Sequence, residues 1–247
     1  MSVQTNADKL VSVSVMGNIA SPGFPGVPAT PYSLSADGEA FLLPTYGGIV
    51  YNVSVGDSAY GWLADTVHPG VSISVKDDTG NRGLNILACV GNVAVVMSGS
   101  AQGARGVVTG KSGRFSEHVI IHFDLEAREK MAIGDKIIVR SKGVGLQLPA
   151  HPDVHLKSAA PELLDVLEVS TRDDGKLGVP VVAIVPPHLL GAGAGLTSEG
   201  GSLHIQSTDK QALKEAKLDD LRLGDVVALA DYDSSWNHGY LRGAIGI

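Results

Sequence analysis

A single cysteine, Cys89, among 247 residues rules out an intramolecular disulfide and any multi-cysteine zinc site. It stands in the apolar run Leu87-Ala88-Cys89-Val90 and reads as a small core residue. Charge is scarce too. Only 18% of residues are charged while 44% are hydrophobic, so part of the apolar surplus is expected to cover a subunit interface, predicting a homo-oligomer. The net charge of -7 comes with no basic stripe, which argues against a nucleic-acid partner. No stretch approaches the ~18–20 apolar residues of a membrane span. Met1 to Leu10 includes Asp8 and Lys9 and lacks the apolar run of a signal peptide, so no membrane partner and a cytoplasmic location are expected. The GxSxG, HExxH, Walker and EF-hand patterns are also missing.

What is present is β patterning. Leu10 to Met16 alternates apolar and polar residues, the period of a half-buried strand. Asp37-Gly38 marks a hairpin between Tyr32–Leu34 and Ala40–Leu43. Further strands are predicted at Ile49–Val53, Val71–Val75, Leu84–Val90, Val93–Met97, Gly106–Thr109 and His118–Phe123. In the C-terminal half they are predicted at 136–139, 179–185, 203–206, 225–230 and 241–247. Short helices are predicted near 160–167, with Pro161 in the first turn, and over Asp209–Leu218. The expected fold is mainly β, with layered β-sandwich or barrel-like sheets and a few short helices. An N-terminal β domain, 1–155, would carry the polar loop described below, and a β-rich C-terminal domain, 156–247, would pack against it.

Three places share one design: Val55-Gly56-Asp57, Ile133-Gly134-Asp135 and Leu223-Gly224-Asp225. Glycine supplies a positive φ and the aspartate accepts a backbone N–H, so Asp135 and Asp225 read as turn braces. The first turn opens the densest polar segment, 56–70, with Asp57, Tyr60, Trp62, Asp65 and His68. There Asp65 and His68 form either an orienting pair or two ligands of a divalent metal such as Mg²⁺, Mn²⁺ or Zn²⁺. The bland alternative is a turn braced by Asp65 with an exposed His68. His118 and His122 lie on one strand face, about 13 Å apart, too far to chelate one metal. A strand histidine facing out of a sheet is more often solvated than functional; Glu117 or Asp124 stands ready to orient one of them. Gly191 to Gly195 has alternating glycines without the GxGxxG pattern, which suits close packing or a backbone cradle for an anion. Asp231-Tyr232-Asp233 closes a strand and either caps a turn or offers two acids to a cation.

The blocks Leu43-Pro44 through Gly47-Gly48-Ile49-Val50-Tyr51-Asn52-Val53, Asp65 through Ser72, and Ala88-Cys89-Val90-Gly91-Asn92 resemble the bacterial family known as domain of unknown function 4438. So do Gly103 through Lys111, Glu117-His118-Val119, Gly134–Ile137, Gly191–Gly195 and Leu221–Asp225 with Asp231–Asp233, in order along nearly the whole chain. The resemblance implies a mainly β architecture with no established activity. It also implies departures. The family pattern sets a histidine after the loop aspartate and an acid before Pro-Gly, where this chain reads Asp65-Thr66-Val67-His68-Pro69. Ser112 stands where a histidine is expected, and a glycine- and histidine-rich tail is expected beyond Ile247. A fainter similarity to the acetamidase and formamidase family hints at small amides.

Two functions follow as expectations. One is a small-molecule hydrolase or lyase, acting on C–N bonds or with metal assistance, with Asp65, His68 and His118 catalytic. In that reading Tyr60, Trp62, Lys111, Gly191 and Gly193 contact the substrate, and Asp65 and His68 hold the metal. The other is a non-catalytic ligand-binding or assembly subunit, partnered by a second copy or by a paralogous subunit.

Overall fold

A computed structural model describes residues 3–23, 32–34, 37–42, 47–62, 67–112, 118–193, 203–205, 209–233, 240–241 and 244–245. Its N-terminal strands are β1 (Val13–Ile19), β2 (Tyr32–Leu34), β3 (Ala40–Leu42) and β4 (Val71–Ser74). Helix α1 (Asp78–Leu87) follows, then β5 (Val93–Val96), β6 (Arg105–Ser112) and β7 (His118–His122). Helix α2 (Leu125–Lys130) leads to β8 (Lys136–Ser141). Six of these strands close a barrel in the order β1-β4-β7-β6-β5-β8. Closure is antiparallel throughout, and β2 and β3 form the predicted hairpin outside it.

The period-2 pattern explains the interior. Val71, Ile73, Ala94, Val96, Val108, Val119, Ile121, Ile137 and Val139 alternate along their strands and are all fully buried in one core. The mainly β, barrel-like expectation is therefore correct, with the barrel as its form.

Beyond the barrel come α3 (Pro161–Val166), β9 (Ser170–Thr171), β10 (Leu177–Gly178) and β11 (Ala183–Val185). After these lie β12 (Leu190–Gly193), β13 (Leu203–Ile205), α4 (Lys210–Glu215) and β14 (Val227–Leu229). The parallel pair β11–β14 and helix α4 enclose a separate core of Ala183, Val185, Leu189, Leu213, Leu218 and Leu221.

Two predicted strands are corrected. Leu84 to Val90 is mostly the end of helix α1: Asp77 caps it by accepting from Gly80 N–H at 2.6 Å, and Leu84 faces the core while the polar residues before it stay outside. Ile49 to Val53 forms only one bridge, Ile49 to Val71. The reason is Arg128 of α2, which is 3% exposed. Its Nη1 donates to the carbonyls of Val50 and Val53 and its Nη2 to Ser54 Oγ at 2.9 Å, so beyond that bridge the segment is held by a side chain rather than by a strand ladder.

Candidate functional site

The three glycine-aspartate turns are one structure. In each, the aspartate Oδ2 accepts the backbone N–H three residues upstream at 2.8 Å: Ser54 to Asp57, Ala132 to Asp135, Arg222 to Asp225. Each glycine has a positive φ, 99° at Gly56, 91° at Gly134 and 96° at Gly224. Asp57 is thus a brace like the other two, and its carboxylate is committed to that turn. The first and third turns also dock on each other. Gly56 N–H donates to Leu223 O and Leu223 N–H to Asp57 O, both at 2.8 Å, and Arg222 Nη1 reaches Gly56 O at 3.0 Å. The start of the polar loop is consequently tied to the C-terminal part of the chain.

Tyr60 and Trp62 follow this dock on the surface, 38% and 36% exposed. Trp62 Nε1 donates to Ser58 O at 2.8 Å, folding the indole back on its own loop. Burial and, second, the nearby Asp219 carboxylate push the Tyr60 phenol above its ordinary pKa. Asp65 and Glu117 lie outside the described residues.

His68 and His118 are brought together. Val71 to Ile73 of β4 pair with Ile121 to Val119 of β7, and Ser72 and Ile120 are opposite each other on the outward face. His118 shares that face by alternation, and His68 enters it from the turn before β4. The rings meet edge to face, with centroids 5.6 Å apart. Both are buried, at 2% and 6% exposure, which corrects the expectation of an exposed His68 and a solvated strand histidine. The cause is a roof: Gly48 O accepts Ser72 N–H at 3.0 Å and Val50 N–H donates to Gly70 O at 2.8 Å, laying 47–50 alongside β4.

Gly47 sets the chemistry of His68. Its N–H donates to His68 Nδ1 at 3.3 Å, and Ser72 Oγ lies 3.0 Å from the same nitrogen. An amide N–H can only donate, so Nδ1 accepts and the neutral ring carries its proton on Nε2. Burial lowers the His68 pKa to about 4, helped by the charge His118 would carry; burial alone lowers His118 to about 4. Both imidazoles are therefore neutral at pH 7. Gly47, at φ 99°, is packed so closely that a Cβ there would stand 3.3 Å from His118 Nε2. His122, also on β7, is only half-buried, and its Nδ1 has no hydrogen-bond partner among the described residues.

The remaining candidates lie elsewhere. Lys111 pairs with Val119, a core residue, and so leaves β6 on the side away from the histidines. Gly191 and Gly193 belong to β12, which pairs with β13 through an irregular register. Asp231 is exposed, at φ 52°, in a tight turn. Among the described residues no group of three or more His, Cys, Asp or Glu side chains converges on a metal position. A cavity of about 370 Å³ lies apart from the histidine pair, against Leu146, Gln147, His151, Val154, His155 and Leu156. Sequence reasoning missed Ser72 and Gly47 as the partners of His68. The only available signal was the spacing of His68 and Ser72 across a Pro-Gly turn.

Residues 32–165 match the family model described as domain of unknown function DUF4438, N-terminal, and residues 166–247 match its C-terminal counterpart. The crystal structure of TM1086 is 41% identical in sequence and superposes with a TM-score of 0.87, covering 98% of this chain and 83% of that one. No curated protein matches the chain. Among the described residues no helix is long and apolar enough to cross a membrane.

Proposed function

The chain belongs to the DUF4438 family, and we propose that it is a small-molecule hydrolase or lyase whose proton-handling centre is the buried pair His68 and His118. The pair carries the reading. Two buried imidazoles, both neutral at pH 7, offer an Nε2–H donor on His68 to a developing negative charge. An anionic substrate or intermediate entering beside them raises both pKa values, which turns the rings into proton carriers where charge develops. Cleavage of a C–N bond in a small amide fits such a centre, with Asp65 as a third member.

A metal-assisted form of this reading would take Asp65 and His68 as ligands of a divalent cation. The tautomer speaks for the metal-free form: a cation on His68 Nε2 requires the proton on Nδ1, where it would face the Gly47 N–H. Elemental analysis of the purified chain distinguishes the two forms. Location in the cytoplasm and assembly into a homo-oligomer belong to the same proposal. The exposed Val179, Val181, Val182 and Ile184, all within one short stretch, support the assembly.

A second reading is favoured by the burial of the pair itself: a non-catalytic ligand-binding or assembly subunit, partnered by a paralogue, in which the histidines only fill space. The deciding experiment is turnover of a panel of small amides by the pure chain, with His68→Gln and His118→Gln alongside. Loss of turnover with folding retained supports the enzyme. A chain inactive across the panel that co-purifies with a paralogue supports the subunit.

A further inference from the structure

Outside the histidine pair, the described residues hold a further cluster of chemically capable side chains, built around Lys111. Lys111 leaves β6 beside Val119, and its Nζ lies 2.9 Å from Ser158 Oγ, 47 residues further along. Ser158 stands in the left-handed region at φ 55°, a backbone conformation that a serine adopts only at a cost. The surroundings hold it there. Its carbonyl accepts Val90 N–H at 2.7 Å, Ala160 N–H donates to Val90 O at 2.8 Å, and Ala159 bridges Val90. Fully buried Cys89 precedes Val90, and a Cβ on Gly143 would meet both its Sγ and the Ala159 carbonyl. Serine and lysine are both only partly buried.

We propose that Ser158 and Lys111 form a serine–lysine dyad that cleaves small esters or amides through an acyl-serine intermediate. The strained, clamped serine presents its hydroxyl to one amine, the arrangement that an activated nucleophile and its base require. Burial lowers the Lys111 pKa to about 8, opposed by the nearby Cys89, so a useful fraction of the amine is neutral near that pH. Neutral Nζ takes the Oγ–H proton as Oγ bonds to the carbonyl carbon and the carbonyl π pair moves onto its oxygen. Collapse re-forms the carbonyl and breaks the bond to the leaving group, which departs with the proton from Nζ. Water then attacks the acyl ester, gives one proton to Nζ, and releases the carboxylic acid as Oγ recovers its proton. This site shares no residue with the histidine pair, and either can fail without the other.

The test is labelling of the full chain with a fluorophosphonate, located by peptide mass spectrometry. The expected result is one adduct, on Ser158, formed at a rate that rises with pH through about 8. Ser158→Ala removes the adduct, and Lys111→Met slows labelling by about 100-fold or more with an unchanged melting temperature. No adduct, an adduct confined to other residues, or a rate indifferent to Lys111→Met overturns the dyad. Should Lys111→Met fail to fold, the wild-type profile decides alone: a labelling rate flat between pH 7 and 9 overturns it.

Discussion

His68 and His118 present their rings edge to face at 5.6 Å, and both are buried, at 2% and 6% exposure, where a charged ring is costly. Their folded pKa values of about 4 lie below the ordinary histidine value of 6.5. The unfolded chain therefore binds more protons than the folded one between those values. The stability from keeping both rings neutral is complete above pH 6.5 and is lost as pH falls toward 4. The loss is on the order of 3 kcal/mol for each ring. Urea unfolding at pH 7, 5.5 and 4.5 will show this acid limb, and the double variant His68→Gln/His118→Gln will flatten it. An unchanged slope in the double variant would show that other groups control it.

Gly47 is the contact through which the roof reaches both rings. Gly47→Ala places a methyl group 3.1 Å from Ser21 O and 3.3 Å from His118 Nε2, on a backbone at φ 99°. A loss of about 1–3 kcal/mol is expected, together with a shift of the histidine titration seen by NMR. A variant as stable as the wild type with an unmoved titration would separate Gly47 from the pair.

Arg128 holds that roof from below. Arg128→Met removes donors from the carbonyls of Val50 and Val53 and from Ser54 Oγ, leaving buried acceptors unsatisfied. A loss of about 3 kcal/mol is expected. Limited proteolysis will show new cleavage between residues 50 and 62. A cleavage pattern like that of the wild type would mean that the pairing with β4 suffices.

The three aspartate braces should differ only in their extra partners. Asp57→Ala and Asp225→Ala each remove the carboxylate that accepts one backbone N–H and should cost about 1 kcal/mol. Asp135→Ala should cost more, because Asp135 Oδ1 also accepts from Ser98 Oγ at 3.2 Å. Chemical denaturation of the three variants gives the order. Turnover lost with Asp57→Ala at unchanged stability would give Asp57 a catalytic role beyond its brace.

The sequence alone determined what depends on near neighbours. The glycine-aspartate turns were legible because glycine φ and the bond from three residues upstream are local chemistry, and the barrel strands because their core-facing residues recur with a period of two. At Leu84–Val90 the sequence is ambiguous, because a short apolar run fits a strand or a helix end equally well. What decided for the helix was the Asp77 cap and the barrel core waiting for Leu84. Only the tertiary structure decided that His68 and His118 meet, that Gly47 sets the proton of one ring, and that Lys111 turns away toward Ser158. Those relationships depend on the antiparallel pairing of β4 with β7 and of β6 with β7 and on the segment that Arg128 holds across them. A strand's alternation says which residues share a face. It does not say whether that face meets water or a roof.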